Sequence, residues 1–250
     1  MKVSIITVTY NSYKTLPRAI ESVLRQTYQD IDYWIIDGNS TDGTQDIIKS
    51  YTEAFNGKLH WLSEQDKGIY DAMNKGFAHC DGDVLGFLNS DDWFTTASAV
   101  ETIVNAFSKD YDAVYGDIHI VGKDSPEKQI YYQSGRMFRP FLLRFGFAPA
   151  HPTFYVRRSL LQSYGAYNDN YKIAGDFDLI ARFCHKYKIK TKYLHTDLVT
   201  MAIGGVSTKD EEAYAEGLNE ILYSCKSLGI RTSKTMLSLK KYFLMLANII

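Results

Sequence analysis

The sequence is poor in the residues that staple or break chains. Its three cysteines, Cys80, Cys184 and Cys225, are odd in number, widely spaced and without a CxxC pair. That argues against a disulfide framework or a zinc ribbon and for a reducing, cytoplasmic compartment. Five prolines and 17 glycines in 250 residues are too few for a collagen-like or Pro/Gly-rich disordered chain. No apolar run approaches the ~20 residues that a transmembrane helix needs. The opening Val3-Ser4-Ile5-Ile6-Thr7-Val8 is β-branched and studded with hydroxyls, so it reads as a strand and not as a signal-peptide core. A net charge of −1 gives no sign of a nucleic-acid binder. The phosphate-cradling patterns GxxxxGK[ST] and GxGxxG are also missing, so a bound nucleotide needs another device to neutralise its phosphates.

What is present alternates. Residues 3–8 read as a buried strand. Asn11 or Ser12 is positioned to cap a helix that turns Leu16, Ile20, Val23 and Leu24 inward, with Pro17 tolerated in its first turn. Strands over 33–37, 59–63 and 83–88 follow. Between and after them lie helices marked by Ile47, Ile48 and Tyr51, by Ile69, Ala72, Met73 and Phe77, and by Val100, Ile103, Val104 and Phe107. Such alternation with short loops predicts a mostly parallel sheet flanked by helices on both faces. The second half is irregular. Strands at 113–121 and 129–133 surround a Lys123-Asp124-Ser125-Pro126 turn, and 136–150 is aromatic and basic without a period. Helices near 158–163 and 176–187, a strand near 190–194 and a long helical C-terminus complete it. The division expected is a single domain over 1–230, with halves at 1–120 and 121–230, followed by a basic amphipathic helix at 231–250.

In an open parallel sheet, ligands bind beyond the carboxyl ends of the strands. That rule selects Thr9-Tyr10-Asn11, Asp37, the loop with Glu64, Asp66 and Lys67, and Asn89-Ser90-Asp91-Asp92. The adjacent carboxylates of Asp91 and Asp92 repel each other, and a divalent cation shared with substrate phosphates would relieve them. They would equally suit the start of a helix. Asp37 either accepts hydrogen bonds from a ligand or holds the following turn as an Asx-turn. Asp176 and Asp178 are either helix-start acids or a source of a general base. His151, between Ala150 and Pro152, is open in the same way.

Taken together the motifs resemble family 2 glycosyltransferases of the GT-A (Rossmann-like) α/β fold, and within them bacterial exopolysaccharide enzymes of the colanic-acid type. The residues that carry the likeness are Ser4 through Asn11, Ser22-Val23-Leu24-Arg25-Gln26-Thr27-Tyr28, Ile36 through Thr44, Asp66 through Gly76, and Asn89 through Asp92. Weaker matches are His151-Pro152-Thr153, Gly175 through Leu179, and Gly204-Gly205-Val206-Ser207. The resemblance implies that 1–120 holds a nucleotide-diphosphate sugar, a UDP-sugar by preference, and that 121–230 holds a saccharide or lipid-linked acceptor. It implies uridine contacts at Thr7, Thr9 and Tyr10, and a nucleotide side that extends through Asn11, Asp37, Asp66, Lys67, Asn74, Ser90, Asp91 and His151. Asp92 would ligate Mn²⁺ or Mg²⁺, and Asp176 would be the base of an inverting displacement. Three positions depart from the pattern. Gly38 replaces a second acid, Met73 stands where many relatives have an arginine that Lys67 would replace, and Gly175 replaces the first acid of the base motif. A metal-dependent nucleotidyltransferase and a non-catalytic sugar-nucleotide-binding subunit are the rival readings.

The charge is not evenly spread. Glu220 is the last acidic residue, and the five cations after it are Lys226, Arg231, Lys234, Lys240 and Lys241. Met236, Leu239, Phe243, Leu246 and Ile250, widened by Leu237, Leu244 and Met245, form an apolar stripe with Lys234, Lys240 and Lys241 beside it. Such a helix either docks on the inner membrane face or packs on the domain or a second subunit.

Overall fold

The computed structural model describes residues 1–122, 125–204 and 210–247. Among them nine strands form one mixed sheet. They are β1 (Val3–Thr9), β2 (Ile31–Asp37), β3 (Leu59–Ser63), β4 (Val84–Phe87), β5 (Trp93–Phe94), β6 (Ala113–Gly122), β7 (Ser125–Gln133), β8 (Tyr155–Arg157) and β9 (Thr191–Ala202). Their order is β3-β2-β1-β4-β8-β6-β9-β5, with β7 on β6.

The first four strands are parallel. Thr9 pairs with Asp37, Asp37 with Ser63 and Ile6 with Phe87, so their carboxyl ends share one edge. β1 is buried along its whole length, as expected for a central strand covered on both faces. Beyond β4 the sheet is mixed. β8 runs antiparallel to both β4 and β6, and β9 runs parallel to β6.

Eight α-helices flank the sheet among the described residues: α1 (Leu16–Leu24), α2 (Thr44–Tyr51), α3 (Ile69–His79), α4 (Ala99–Ala106), α5 (Arg158–Tyr164), α6 (Gly175–Ala181), α7 (Glu211–Ser227) and α8 (Lys234–Ala247). Leu16, Ile20, Ile48, Val100 and Ile103 place α1, α2 and α4 on one face with Val3 and Ile5. Tyr70, Met73, Leu161, Phe177, Ile180 and Cys225 place α3, α5, α6 and α7 on the other with Ile6 and Val8. Truncating a fully buried residue such as Ile20 or Leu16 to Ala in this packing costs about 2–5 kcal/mol. The three cysteines are free and buried.

Several expectations need correction. Thr15, not Asn11 or Ser12, is the N-cap of α1, and Leu24 is exposed. Asn11 adopts a left-handed φ of 49°, and its side-chain oxygen accepts from Thr41 N at 3.0 Å instead. Gln26, in the Ser22–Tyr28 motif, is a buried latch: it bonds the carbonyls of Ser22 and Thr96 and accepts from Val100 N. The helix expected over 176–187 ends at Ala181 and widens into a π-turn over Arg182–Lys186. The strand expected at 190–194 runs on to Ala202.

In the tail, Leu237 is buried and Leu239 is exposed, so the packed face is not centred on the predicted stripe. Lys240 turns inward and donates to Gly146 O at 2.9 Å. Phe243, Leu244, Met245, Leu246 and Ile250 lie outside the described side chains. Lys123, Asp124, Gly205, Val206 and Ser207 lie outside the described residues. No helix among the described residues is long and apolar enough to cross a membrane.

Candidate active site

The parallel strand ends bring most of the expected donor-side residues to one edge. Tyr10, directly after β1, is 64% exposed, and its ring lies beside Gly38. Thr9 is buried, and its Oγ1 has no hydrogen-bond partner among the described residues, which leaves a polar group at the strand's end. Thr7 is different: it is fully buried, and its hydroxyl sits 3.0 Å from Tyr33 OH inside the core. Asp37 holds the Asx-turn. Its carboxylate accepts from Ser40 N at 3.0 Å, from Ser40 Oγ, and from Ser63 Oγ at 2.6 Å. Those bonds show that Asp37 holds the turn, and Oδ1, with a single donor, keeps capacity for a further hydrogen bond.

Asp66 explains why Gly38 departs from the family pattern. A Cβ at position 38 would lie 2.5 Å from Asp66 Oδ2. The carboxylate of Asp66, fixed by Gly68 N at 2.9 Å, therefore fills the space a second acid after β2 would need. Lys67 is exposed, with its backbone N–H bonded to Asp71 Oδ2 at 3.0 Å. Met73 is buried in the core.

The β4 end carries Asn89–Asp92 as a tight turn closed by Asp92 N to Asn89 O at 3.1 Å. Ser90 Oγ lies 3.0 Å from Ser12 Oγ, which ties this turn to the β1 loop. Asp92 is 1% exposed and accepts from Asn89 Nδ2 at 2.9 Å. Burial first, and the Asp91 carboxylate second, hold its pKa well above the ordinary carboxylate range. Among the described residues no three His, Cys, Asp or Glu side chains converge. Paired acids that resist ionisation together fit a cation completed by substrate phosphates, because Mg²⁺-like ions take one or two carboxylates and the rest from phosphate or water.

Asn74, His151 and Asp176 assemble around Tyr70, which lies within the Asp66–Gly76 motif, and Tyr167, which lies outside every motif named above. Asn74 grips Tyr167 through two 2.9 Å bonds to its backbone. His151 is buried, with Nε2 2.7 Å from Tyr167 OH, and stacks on Phe87 at 5.5 Å. Burial lowers its pKa, and the charge of Asp176 acts in the opposite direction. Phe87, the last residue of β4, meets Tyr167 edge-on at 5.2 Å, and Tyr167 stacks on Tyr70 at 5.7 Å. This aromatic chain joins the acidic turn to the segment that carries Asp176.

Asp176 and Asp178 are now separable. Asp178 is buried and saturated: Arg182 Nε reaches it at 3.0 Å, Ser224 Oγ at 2.8 Å and Tyr171 OH at 3.2 Å. Asp176 is half-buried, with Phe177 N at 2.7 Å and Tyr70 OH at a long 3.5 Å. Among the described residues its remaining lone pairs meet no such ion pair. Gly175 is required by Tyr70, since a Cβ there would come within 2.8 Å of the ring. The inward Lys240 was also missed. Burial lowers its pKa while Asp176 opposes the shift, which puts the ammonium within electrostatic reach of that carboxylate.

A four-strand parallel edge bearing acids, joined through aromatics to a second half with its own carboxylate, defines a GT-A-type α/β transferase architecture. Residues 4–167 match the family model "Glycosyl transferase family 2", and the chain belongs to that family. A PGL/p-HBAD biosynthesis glycosyltransferase of Mycobacterium bovis is 31% identical over 208 residues, covering 82% of this chain and 78% of the relative. An uncharacterized glycosyltransferase of Nostoc sp. is 30% identical over 229 residues, 88% of this chain and 70% of its own. Among solved structures, the mannosyltransferase PcManGT of Pyrobaculum calidifontis, in complex with GDP-Man and Mn²⁺, matches with a TM-score of 0.69 at 16% identity over 96% of this chain and 69% of its own. S. aureus TarS 1-349 with UDP-GlcNAc matches with a TM-score of 0.67 at 19% identity over 95% and 70%. The match to S. aureus TarS in another structure, with a TM-score of 0.64 at 18% identity, covers 89% of this chain and 39% of that one.

Proposed function

We propose that this glycosyltransferase is an inverting hexosyltransferase that uses a nucleoside-diphosphate sugar, with uridine as the favoured base, and a divalent cation. The acceptor we assign is a saccharide or lipid-linked saccharide of cell-surface polysaccharide synthesis, met on the cytoplasmic side. The observation that carries the reading is the contrast between Asp178, locked to Arg182, and Asp176, which lies beside Tyr70 with no ion pair among the described residues.

In the proposed reaction the acceptor hydroxyl oxygen attacks the anomeric carbon while Asp176 takes its proton. The C–O bond to the diphosphate breaks, and its electron pair leaves with the phosphate. A bound cation would supply Lewis-acid stabilisation of that charge, held through Asp92 with Asp91 beside it. Tyr10 and Thr9 would receive the base at the β1 end, and Asp66 the group over Gly38. Tyr167 and His151 exclude water behind Asp176, since both are buried and bonded to each other.

The test is a panel of UDP- and GDP-sugars with Mn²⁺, read as released nucleoside diphosphate. Release of nucleoside diphosphate that stops in EDTA supports the reading. Release of pyrophosphate instead identifies a nucleotidyltransferase, and binding without release identifies a non-catalytic subunit.

A further inference from the structure

Residues 172–174 lead into α6 and belong to no strand, so their backbone N–H groups need acceptors from elsewhere. Glu220, half a chain turn from any recognised motif, supplies all of them. Its Oε1 accepts from Lys172 N at 2.8 Å, and its Oε2 accepts from Ile173 N at 2.9 Å and Ala174 N at 2.7 Å. From the opposite side Tyr70 OH donates to Ile173 O at 2.6 Å. The peptide that ends two residues before Asp176 is therefore held through both its donors and its acceptor.

Other residues of α7 reinforce the grip. Glu216, one turn earlier, pairs with Lys172 Nζ at 2.8 Å. Ser224, one turn later, donates to Asp178 Oδ1 at 2.8 Å. Gly217 admits Ile173 closely, since a Cβ there would lie 3.1 Å from Ile173 Cγ2. One helix thus touches the segment on both sides of Asp176, and among the described residues none of its side chains hydrogen-bonds Asp176 itself.

We propose that Glu220 is a positioning residue for the reaction: its carboxylate fixes the 172–174 segment so that Asp176 meets the acceptor hydroxyl. Hydrogen bonds from neutral N–H groups to a carboxylate are roughly twice as strong as neutral pairs, so the charge matters as well as the shape. A glutamine at this position keeps one carbonyl oxygen and turns an NH₂ toward a backbone N–H. An aspartate is one methylene too short to reach all three donors. A misplacement on the order of 1 Å in a reacting group costs about 10²-fold in rate.

The inference rests on Asp176 as the base, so Asp176→Asn is the control. Full-length wild type, Glu220→Gln, Glu220→Asp and Glu220→Ala are compared with Mn²⁺ and the nucleotide sugar the wild type turns over. Three quantities are read: binding of UDP or GDP with its stoichiometry, kcat for nucleoside-diphosphate release, and hydrogen exchange at residues 172–174. The expected result is nucleotide affinity within twofold and unchanged stoichiometry in all variants. Exchange at 172–174 rises, and kcat falls about 10- to 100-fold in Glu220→Ala, with smaller losses in Glu220→Gln and Glu220→Asp. If Glu220→Ala does not fold, the other two carry the test. A kcat within twofold of wild type while exchange rises, or unchanged exchange, overturns the positioning role. If kcat falls only as far as nucleotide stoichiometry falls, the residue is merely structural and the proposal also fails. If Asp176→Asn keeps its turnover, the base assignment fails independently of Glu220.

Discussion

Gly175→Ala is the sharpest probe of how the base segment is packed. The new Cβ would lie 2.8–2.9 Å from three atoms of the Tyr70 ring, where ordinary contacts start at 3.4 Å. The ring has little room to yield. Tyr70 is 4% exposed, stacks on Tyr167 and donates to Ile173 O. Overpacking of this kind costs about 2–3 kcal/mol. Replacing a helical glycine by alanine returns at most about 1 kcal/mol. The net loss expected is about 1–2 kcal/mol, which in a chain of this size lowers Tm by about 2–8 °C. Thermal unfolding of Gly175→Ala, Tyr70→Leu and the double variant measures it. In the Tyr70→Leu background the glycine replacement should be neutral or stabilising, a coupling of at least about 1 kcal/mol. An unchanged or raised Tm for Gly175→Ala alone would refute the steric account of why position 175 takes a glycine.

Asp92 should make cation binding pH-dependent. Its proton is held above the ordinary carboxylate range by burial and Asp91, so Mn²⁺-dependent nucleotide affinity should rise with pH until that proton is lost and then level off, as titration calorimetry will show. The same shift has the opposite sign for metal-free stability: the folded state keeps the proton longer than the unfolded chain, so stability is greatest at low pH and declines as pH rises through the raised pKa. Asp92→Asn should therefore raise the Tm of the metal-free protein at neutral pH while weakening Mn²⁺–nucleotide binding. Asp178→Ala should destabilise by about 3–5 kcal/mol in denaturant titration, because it leaves the Arg182 guanidinium buried without its carboxylate. Deleting residues 232–250 should lower Tm, since it removes buried Leu237 and the bonds from Thr232 to Arg144 O and from Lys240 to Gly146 O. A truncated protein that keeps its Tm but no longer sediments with anionic vesicles would instead assign the helix to a membrane surface.

The parallel half was readable because its elements obey local rules. Ile5, Ile6, Ile35 and Ile36 mark strands buried on both faces, and Leu16, Ile20 and Val23 mark one helical face. β5 and β8 were not readable. With two and three residues, they are strands only because β9, β4 and β6 offer them edges. β9 runs past the expected Leu194 and carries Asp197 within it, an acid satisfied across the sheet by His119 Nδ1 at 2.6 Å. The site shows the same boundary. Strand ends located Tyr10, Asp37, Asp66 and Asp92, but only packing shows that Asp37 holds its own turn and that Asn74 grips the backbone of Tyr167. The i,i+4 spacing of Asp178 and Arg182 was a signal in plain sight that could have set Asp178 aside. Nothing in spacing joins Glu220 to a segment 46–48 residues away.

In the proposed glycosyl transfer Asp176 removes the acceptor's proton. The measurement that tests it most directly is kcat for nucleoside-diphosphate release by Asp176→Asn, with Mn²⁺ and a nucleotide sugar turned over by the wild type. The account predicts a loss on the order of 10²–10⁴-fold with nucleotide affinity and Tm unchanged. Turnover near the wild-type rate in a folded, nucleotide-binding Asp176→Asn protein would contradict it.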